Sequence, residues 1–265
     1  METQTLSILF IGDIVGRAGR KALDLFLQDI ISEHNISLVI ANGENAAGGA
    51  GITPKIADQL LASGIDCLTS GNHIWQKKEI FDYLDRETRI IRPLNFYPHN
   101  PGEGSCLIQA ADGTKVAVVN LAGRVFMGNT YACPFHVIDQ ELTKLKHQTP
   151  CVLVDFHAEA TAEKVALGWY LDGKVSAVIG THTHVQTADE QILPQGTAYI
   201  SDAGMTGARH SVIGVKTELA LQKFLTSMPV RFESSREKPC LHGVIVHIEP
   251  HTGAALHIER VQRFS

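Results

Sequence analysis

Five short apolar runs, each followed by a cluster of polar side chains, constrain the fold of this chain most strongly. Short apolar runs bounded by glycine or polar residues are typical of buried strands. Apolar residues between the first two runs, over residues 18–35, recur at helical spacing, so strands and helices alternate. This alternation predicts an α/β fold with a largely parallel sheet. The five predicted strands are Leu6–Gly12, Ser37–Ala41, Ile65–Leu68, Cys151–Asp155 and Val175–Ile179.

Further helix and hairpin signals complete this organisation. Thr53 and Pro54 are suited to the N-cap and first turn of a second helix, and another helix is predicted near Glu159–Leu171. Asp112–Gly113 and Pro250–Gly253 predict turns of two antiparallel hairpins. The predicted hairpin strands are Ser105–Gln109, Lys115–Leu121, Val244–Ile248 and Ala255–Ile258.

The remaining middle segment, Gly123–His136, is rich in glycine and aromatic residues and is predicted to be irregular. The chain contains no tandem repeat and no low-complexity linker. A length of 265 residues is common for a single α/β enzyme. We therefore expect one domain over residues 1–265.

Composition limits the functions and the location of the chain. A net charge of −5 argues against the basic face that sequence-independent nucleic-acid binding needs. The five cysteines form no CxxC pair, which suits a reducing compartment. There is no signal-peptide pattern and no apolar window long enough to span a membrane. We expect a cytoplasmic protein without membrane contact, and a homo-oligomer is compatible with the sequence.

The polar clusters place metal-ligand chemistry at the strand ends. Asp13, Glu44–Asn45 and Asn72–His73 follow the first three strands, and His157 and His182–His184 follow the last two. In open α/β sheets the loops beyond the carboxyl ends of strands form the ligand crevice, so we expect these side chains to converge. Carboxylate, amide and imidazole ligands without thiolate suit iron, manganese or zinc.

The two histidines of the GTHTH motif are the most informative pair. In an extended backbone the rings of His182 and His184 would point to the same side, one toward each of two ions. Taken singly, the other residues have plainer interpretations: Asp13 as a helix cap, Glu44 as a solvated loop residue and Asn72 as a turn residue. The recurrence of such clusters after every strand favours a metal site.

Charge also favours a phosphate ligand. Two divalent ions, the carboxylates of Asp13 and Glu44 and one bridging hydroxide would together leave one net positive charge. That charge complements a single phosphodiester anion. A site with four carboxylates would repel it.

The motifs resemble those of the metallophosphoesterase superfamily, whose blocks GD, GN-H, H and GH-H occur in this order. Here they are Gly12–Asp13, Gly71–His73, His157 and Gly180–His184. The chain is most similar to the bacterial YmdB-like branch, through the strings FIGDIVGRAGR, ANGENAAGG, SGNHIW, DFHAEATAEK, GTHTHVQTAD and DAGMTG. These strings extend over residues 10–207 and cover most of the chain.

The resemblance implies a four-layer α-β-β-α sandwich of two mixed sheets that holds two metal ions. Iron or manganese is favoured, and zinc is compatible with the ligands. Glu44 is implied to bridge both ions, and His73 is implied as the proton donor. The other implied ligands are Asp13, Asn45 and His184 for one ion and Asn72, His157 and His182 for the other.

The implied activity is hydrolysis of small phosphodiesters. Cyclic nucleotides are the implied substrates, with 2′,3′-cyclic nucleotides favoured and 3′,5′-cyclic nucleotides also considered. The expected mechanism is attack on phosphorus by a hydroxide between the two ions, while His73 protonates the leaving oxygen as a general acid. Phe126 or Tyr131 could stack on a nucleobase, and His210 is a further candidate on the substrate side.

Other classes of protein fit the sequence less well. A non-catalytic regulator could use the same metal site to bind a nucleotide or RNA, but the presence of every implied ligand and of the donor argues against lost catalysis. A dinuclear amidohydrolase would need a bridging lysine and an HxH motif after the first strand. A dinucleotide-binding protein would need GxGxxG, whereas Gly12, Gly16 and Gly19 form GxxxGxxG. We interpret this glycine series as backbone clearance around the metal loop.

Overall fold

The computed structural model describes residues 5–128 and 131–265 as two mixed β-sheets with helices on their outer faces. In chain order the strands are β1 (Leu6–Ile11), β2 (Asp13–Ile14), β3 (Leu38–Asn42), β4 (Cys67–Thr69), β5 (Ser105–Gln109), β6 (Lys115–Ala122), β7 (Val152–His157), β8 (Ala177–Thr181), β9 (Gln191–Ile192), β10 (Ala198–Ile200), β11 (Met205–Ala208), β12 (Pro239–Ile248) and β13 (Ala255–Phe264). The α-helices are α1 (Gly16–Glu33), α2 (Pro54–Ala62), α3 (Phe81–Leu84), α4 (Pro134–Leu145), α5 (Thr161–Leu171) and α6 (Thr217–Thr226), and short 3₁₀ turns cover Ile74–Gln76 and Lys78–Ile80.

The first sheet has the strand order β2-β11-β12-β1-β3-β4, and β13 pairs with the other edge of β12. Strands β1, β3 and β4 are parallel to one another, and β12 is antiparallel to β1. The second sheet has the order β5-β6-β7-β8-β10-β9, in which β6, β7, β8 and β10 are parallel and both edge strands are antiparallel. The carboxyl ends of β1, β3 and β4 in one sheet, and of β7 and β8 in the other, therefore each form one crevice-facing edge.

Three apolar layers separate the two sheets and their helices. Alternate residues of β1, such as Ile8 and Phe10, pack between the sheets with Val118 of β6 and Leu153 of β7. The opposite face of β1 packs on α1 and α2, and the outer face of β7 packs on α4 and α5. Because successive strand residues point to opposite faces, one strand contributes to two layers. The four-layer α-β-β-α sandwich of two mixed sheets is confirmed.

Most predicted elements lie within a few residues of the observed ones. Thr53 is the N-cap of α2, and its hydroxyl accepts a hydrogen bond from the Ile56 N–H. The hairpin turn at Asp112–Gly113 joins β5 to β6, and Gly113 has a φ of 91°, in the region that favours glycine. The second predicted hairpin is formed by β12 and β13.

The prediction of an irregular segment over Gly123–His136 is wrong at its end. Pro134 occupies the first turn of α4, a position where its missing N–H costs nothing. Ile138, Leu142 and Leu145 then bury one face of that helix. Residues 129 and 130 of the segment lie outside the described residues. The strands β2, β9, β10 and β11 were not predicted, because they are too short to show a period. Helix α6 was not predicted either, and among its residues only Ala220 is buried.

Over residues 5–128 and 131–265 no helix is long and apolar enough to cross a membrane. The cytoplasmic location and the single domain stay predictions.

Candidate metal centre

The predicted site residues come from both sheets and meet at one end of the sandwich. Asp13 follows β1, Glu44 follows β3, and Asn72 follows β4. His157 is the last residue of β7, and the GTHTH histidines follow β8. Because these parallel strands all end at the same edge, side chains up to 171 positions apart in the chain become neighbours. The structure therefore brings the predicted residues together.

The ring of His157 lies at the centre of one group. Its Nε2 atom lies 3.0 Å from Asn72 Oδ1, 3.0 Å from His182 Nδ1 and 3.1 Å from Glu44 Oε1. Glu44, His157 and His182 each offer a ligand atom, and these atoms lie within 4.8 Å of one another. A single ring nitrogen carries at most one proton, so it cannot bond to all three neighbours. A cation shared by these atoms would satisfy all of them.

A second group lies beside it and shares Glu44. His184 Nε2 lies 3.7 Å from Asp13 Oδ1 and 3.3 Å from Asn45 Nδ2. Asn45 Nδ2 donates to Glu44 Oε1 at 3.0 Å, so this carboxylate oxygen contacts both groups. The amide oxygen of Asn45 instead faces His73 Nδ1 at 2.7 Å. The structure thus brings the Asn45 nitrogen, and not its oxygen, to the second group.

Asp13 provides the test of whether a metal fits. Its side chain is fully buried, and its Oδ1 atom has no hydrogen-bond partner among the described residues. Burial raises the pKa of Asp13, and the interaction with His184 opposes that rise. A buried carboxylate oxygen without a partner is costly. A cation between Asp13 and His184 removes that cost, so these residues fit a metal ion.

The pKa values of the central group also reflect its close packing. Burial opposes the charged forms, but the attraction between His157 and Glu44 raises the pKa of His157 to about 9 and lowers the pKa of Glu44 to about 2. Burial and the neighbouring charge of His157 lower the pKa of His182 to about 3. A metal ion binds neutral imidazole, so a bound cation would take the place of the proton on His157.

Thr181 and Asp155 hold the His157 ring and were not predicted from the sequence. His157 Nδ1 lies 3.0 Å from Thr181 Oγ1, and this hydroxyl donates to Asp155 Oδ1 at 2.7 Å. Asn42 and Thr69 also donate to Asp155, which is fully buried. Buried acceptors behind a ligating histidine fix its tautomer and orientation. The spacing of Asp155 and His157, two apart on one strand, was the available signal.

The expectation that His182 and His184 lie in extended backbone is wrong. Strand β8 ends at Thr181, and the two histidines have φ values of 98° and 65°. Thr183 causes this turn, because its N–H and its hydroxyl both donate to Asp202 Oδ2. Non-glycine residues in this region of φ cluster at functional sites. The rings still converge, but they do so across a tight turn.

A buried ion pair and a backbone carbonyl stabilise this turn. Lys164 Nζ lies 2.8 Å from Asp202 Oδ2, and both side chains are almost completely buried. His184 Nδ1 donates to the Ile213 carbonyl at 2.8 Å, which leaves Nε2 free of a proton and directed toward Asp13. Neither Asp202 nor Lys164 was predicted, because the sequence gives no sign of a contact 38 positions apart.

The metal groups open into a cavity of about 530 Å³, a size typical of small-molecule sites. His73, with 35% of its side chain exposed, lines this cavity. Glu159 also lines it, and its Oε2 lies 3.2 Å from His182 Nε2, a contact that the sequence did not predict. The apolar side chains of Val15, Ile213, Val215 and Phe232 also line the cavity.

The predicted base-stacking residues are not among the described residues that line this cavity. The Tyr131 ring stacks on Phe96 with centroids 4.3 Å apart, so it packs within the protein. Phe126 is 85% exposed on the loop after β6. His210 lines a neighbouring cavity together with Lys216 and Arg231.

Comparison with known proteins identifies the family of this chain. The sequence model of the family described as YmdB-like protein matches residues 9–261. The chain belongs to the YmdB-like family. A family relative from Bacillus subtilis (strain 168), named 2′,3′-cyclic-nucleotide 2′-phosphodiesterase, is 46% identical over 256 residues, which cover 97% of this chain and 96% of the relative.

Solved structures also resemble this YmdB-like chain. A crystal structure of a novel phosphatase from Mycoplasma pneumoniae has a TM-score of 0.92 and 34% sequence identity. The match covers 99% of this chain and 94% of the Mycoplasma chain. A crystal structure of a hypothetical protein from Thermus thermophilus has a TM-score of 0.91 and 40% identity over 98% and 100% of the two chains. The resemblance drawn from the motifs, and the expectation of an enzyme, are confirmed.

Proposed function

We propose that this protein is a metal-dependent phosphodiesterase that hydrolyses 2′,3′-cyclic nucleotides. The observation that carries the proposal is the buried, unpartnered Asp13 Oδ1, which lies 4.0 Å from His157 Nδ1 and beside Glu44 and His184, two residues that line a cavity of nucleotide size. The activity named for the Bacillus subtilis relative supports the choice of substrate. Water would be added across the P–O2′ bond, which leaves a nucleoside 3′-monophosphate.

Seven residues would hold two metal ions in this proposal. Bound divalent ions would supply Lewis acidity, which activates water and neutralises charge on the phosphate oxygens. Oxygen and imidazole ligands without thiolate favour iron or manganese, and zinc is compatible. Glu44 would contact both ions. Asp13, Asn45 and His184 would complete one site, and Asn72, His157 and His182 the other.

Asn45 would use its amide oxygen as a ligand, and the structure has this oxygen on the His73 side. Rotation of the amide by half a turn exchanges its oxygen and nitrogen without moving the backbone. In that orientation Oδ1 lies toward His184 and Glu44, and Nδ2 lies toward His73. His73 Nδ1 would then act as an acceptor.

His73 is the proposed general acid. Its backbone N–H donates to Glu44 Oε2 at 3.0 Å, and Asn45 contacts its Nδ1. These two contacts fix the ring at the cavity edge, so that Nε2 is the atom able to give a proton to the leaving O2′. A positioned acid of this kind contributes roughly 10²–10⁴-fold to the rate.

The test is turnover by protein stripped with a chelator and reloaded with Mn²⁺, Fe²⁺ or Zn²⁺. We expect 2′,3′-cyclic AMP to yield 3′-AMP, measured by chromatography, with 3′,5′-cyclic AMP as the comparison substrate. His73→Ala should lower kcat at full metal occupancy, whereas His251→Ala, in the exposed β12–β13 turn, should leave kcat unchanged. Tight nucleotide binding without product would overturn the proposal and favour a non-catalytic regulator that binds a nucleotide or RNA.

A further inference from the structure

We infer that Phe232 is the surface on which the nucleobase of the substrate stacks, and that it gives the enzyme a preference for purines. The inference rests on the proposed function, because it concerns the same cavity. It assigns the recognition of the base to the apolar part of the cavity lining. The predicted candidates, Phe126 and Tyr131, are not among the described residues that line the cavity.

The exposure of Phe232 is the first observation. The residue is 52% exposed and belongs to none of the hydrophobic clusters formed by the described residues. It nevertheless lines the metal cavity, as do the apolar side chains of Ile213 and Val215. His73 and His184 line the same cavity. A ligand with an anionic end and a flat apolar end matches these two kinds of lining, and a nucleotide has both.

The backbone around Phe232 is fixed, which is the second observation. Ser234 pairs with Val215 in an isolated antiparallel bridge. The Lys216 N–H donates to the Glu233 carbonyl at 3.0 Å, and the Ser235 N–H donates to the Gly214 carbonyl at 2.8 Å. The segment 213–216 also supplies the carbonyl of Ile213 that orients His184. Segment 213–216 is therefore hydrogen-bonded both to the residues that follow Phe232 and to a histidine of the second metal group.

The third observation is that two glycines allow the segment that carries Phe232 to pack closely against the backbone. A Cβ at Gly16 would lie 2.9 Å from Ser234 Oγ, and a Cβ at Gly49 would lie 3.5 Å from Ser234 Cβ. Both glycines have positive φ values, of 57° and 98°. The segment that carries Phe232 thus packs directly on the first residue of α1 and on the glycine-rich loop after β3. This close approach agrees with the interpretation of the glycine series as backbone clearance.

The chemical argument is that an aromatic ring stacks on a base without reading its hydrogen-bonding edge. Removing a stacking ring typically weakens binding of a nucleic-acid base by roughly 5- to 150-fold. Stacking grows with the area of the base, so purines should gain more than pyrimidines. A substrate without a base should gain nothing from Phe232.

The experiment compares Phe232→Ala and Phe232→Trp with the wild-type enzyme on three cyclic esters. These are 2′,3′-cyclic AMP, 2′,3′-cyclic CMP and glycerol 1,2-cyclic phosphate, which has no base. We expect Phe232→Ala to lower kcat/KM about 10- to 100-fold for the adenine substrate, less for cytosine, and not at all for the glycerol ester. Phe232→Trp should keep the adenine activity. Phe224→Ala, which removes a ring that is 78% exposed outside the cavity, is the matched control.

Equal loss on all three esters, or no loss on the adenine substrate, would overturn the inference. Failure of the proposed function looks different, because the wild-type enzyme would then hydrolyse none of the three. In that case equilibrium binding of 3′-AMP and of glycerol 2-phosphate decides the inference. Selective weakening of 3′-AMP binding by Phe232→Ala would support a base-binding surface, and unchanged 3′-AMP binding would refute it.

Discussion

The Nδ1 atom of His157 lies 3.0 Å from the hydroxyl oxygen of Thr181. Because that hydroxyl donates its own proton to Asp155, it accepts from His157, and the ring proton is therefore held on Nδ1. Nε2 is left to face Glu44 and His182. A hydroxyl at the end of β8 thus decides which nitrogen of a ring on β7 can bind a metal.

The first prediction follows from this contact. Thr181→Val keeps the shape of the side chain but removes the acceptor, so we expect metal affinity to fall about 10- to 100-fold. Thr181→Ser keeps the hydroxyl and should bind metal like the wild type. The measurement is a competition titration with a metal-sensitive chelator, which needs no substrate. Equal affinity in the valine and serine variants would show that the hydroxyl does not position His157.

The second prediction concerns Gly71, which precedes Asn72 in the GNH motif. A Cβ at this position would lie 2.3 Å from His157 Cδ2 and 2.5 Å from Glu44 Oε2. Gly71→Ala should therefore displace both side chains and lower kcat/KM about 100-fold, the scale expected for a misplacement near 1 Å. The control is Gly207→Ala, whose Cβ meets only the flexible end of Met205. If both variants kept wild-type kcat/KM, the tight approach at Gly71 would have no functional role.

The third prediction concerns the buried pair under the histidine turn. Lys164→Met leaves Asp202 buried without its partner, so we expect the free energy of unfolding to fall by about 3–5 kcal/mol. Lys174 forms a similar but exposed pair with Asp139, and Lys174→Met should cost less than about 1 kcal/mol. Urea unfolding of the metal-free variants measures both. Similar losses in the two variants would contradict the role of burial.

The fourth prediction is a pH dependence far from the metal centre. His247 lies in β12, with its Nδ1 3.0 Å from Ser7 Oγ and its ring stacked on His257. Burial and the charge of His257 lower the pKa of His247 in the folded state, and Glu259 and His34 act in opposite directions on it. The unfolded chain therefore binds this proton first as pH falls, so stability present above about pH 6.5 is lost below it.

The measurement for His247 is urea unfolding at about pH 8 and about pH 5. We expect the wild type to lose more stability between these values than His247→Gln does, by about 1.4 kcal/mol for each unit of pKa depression. His251→Gln, in the exposed hairpin turn, should follow the wild type. A His247→Gln curve parallel to that of the wild type would show that this ring does not titrate differently on unfolding.

The ligand residues could be predicted because their signal is local. Asp13 and His157 stand at the ends of apolar strands, and the rule that parallel strands present their carboxyl ends together needs no knowledge of contacts. The residues that hold them could not be predicted in this way. Asp202 contacts Lys164 and Thr183 from different elements, and nothing in their spacing along the chain indicates this.

The path of the backbone at the histidine pair was predicted wrongly for a related reason. Side chains two residues apart point to the same side only in an extended strand, and β8 ends before His182 and His184. The hydrogen bonds from Thr183 to Asp202 end it, and they depend on a residue in the loop after β10. Phe232 was not predicted, because a single aromatic residue in a polar segment shows no periodicity. Only its position in the cavity lining distinguishes it from Phe224.

The position of β12 has a consequence for synthesis on the ribosome. This strand is one of the last in sequence, yet it lies between β1 and β13 and supplies all six antiparallel register partners of β1. Until residues 239–248 have left the exit tunnel, the apolar edge of β1 stays unpaired, although every proposed ligand has already been translated. The proposed ligands are thus translated before the strand that covers the edge of β1, and an uncovered strand edge can pair with other chains.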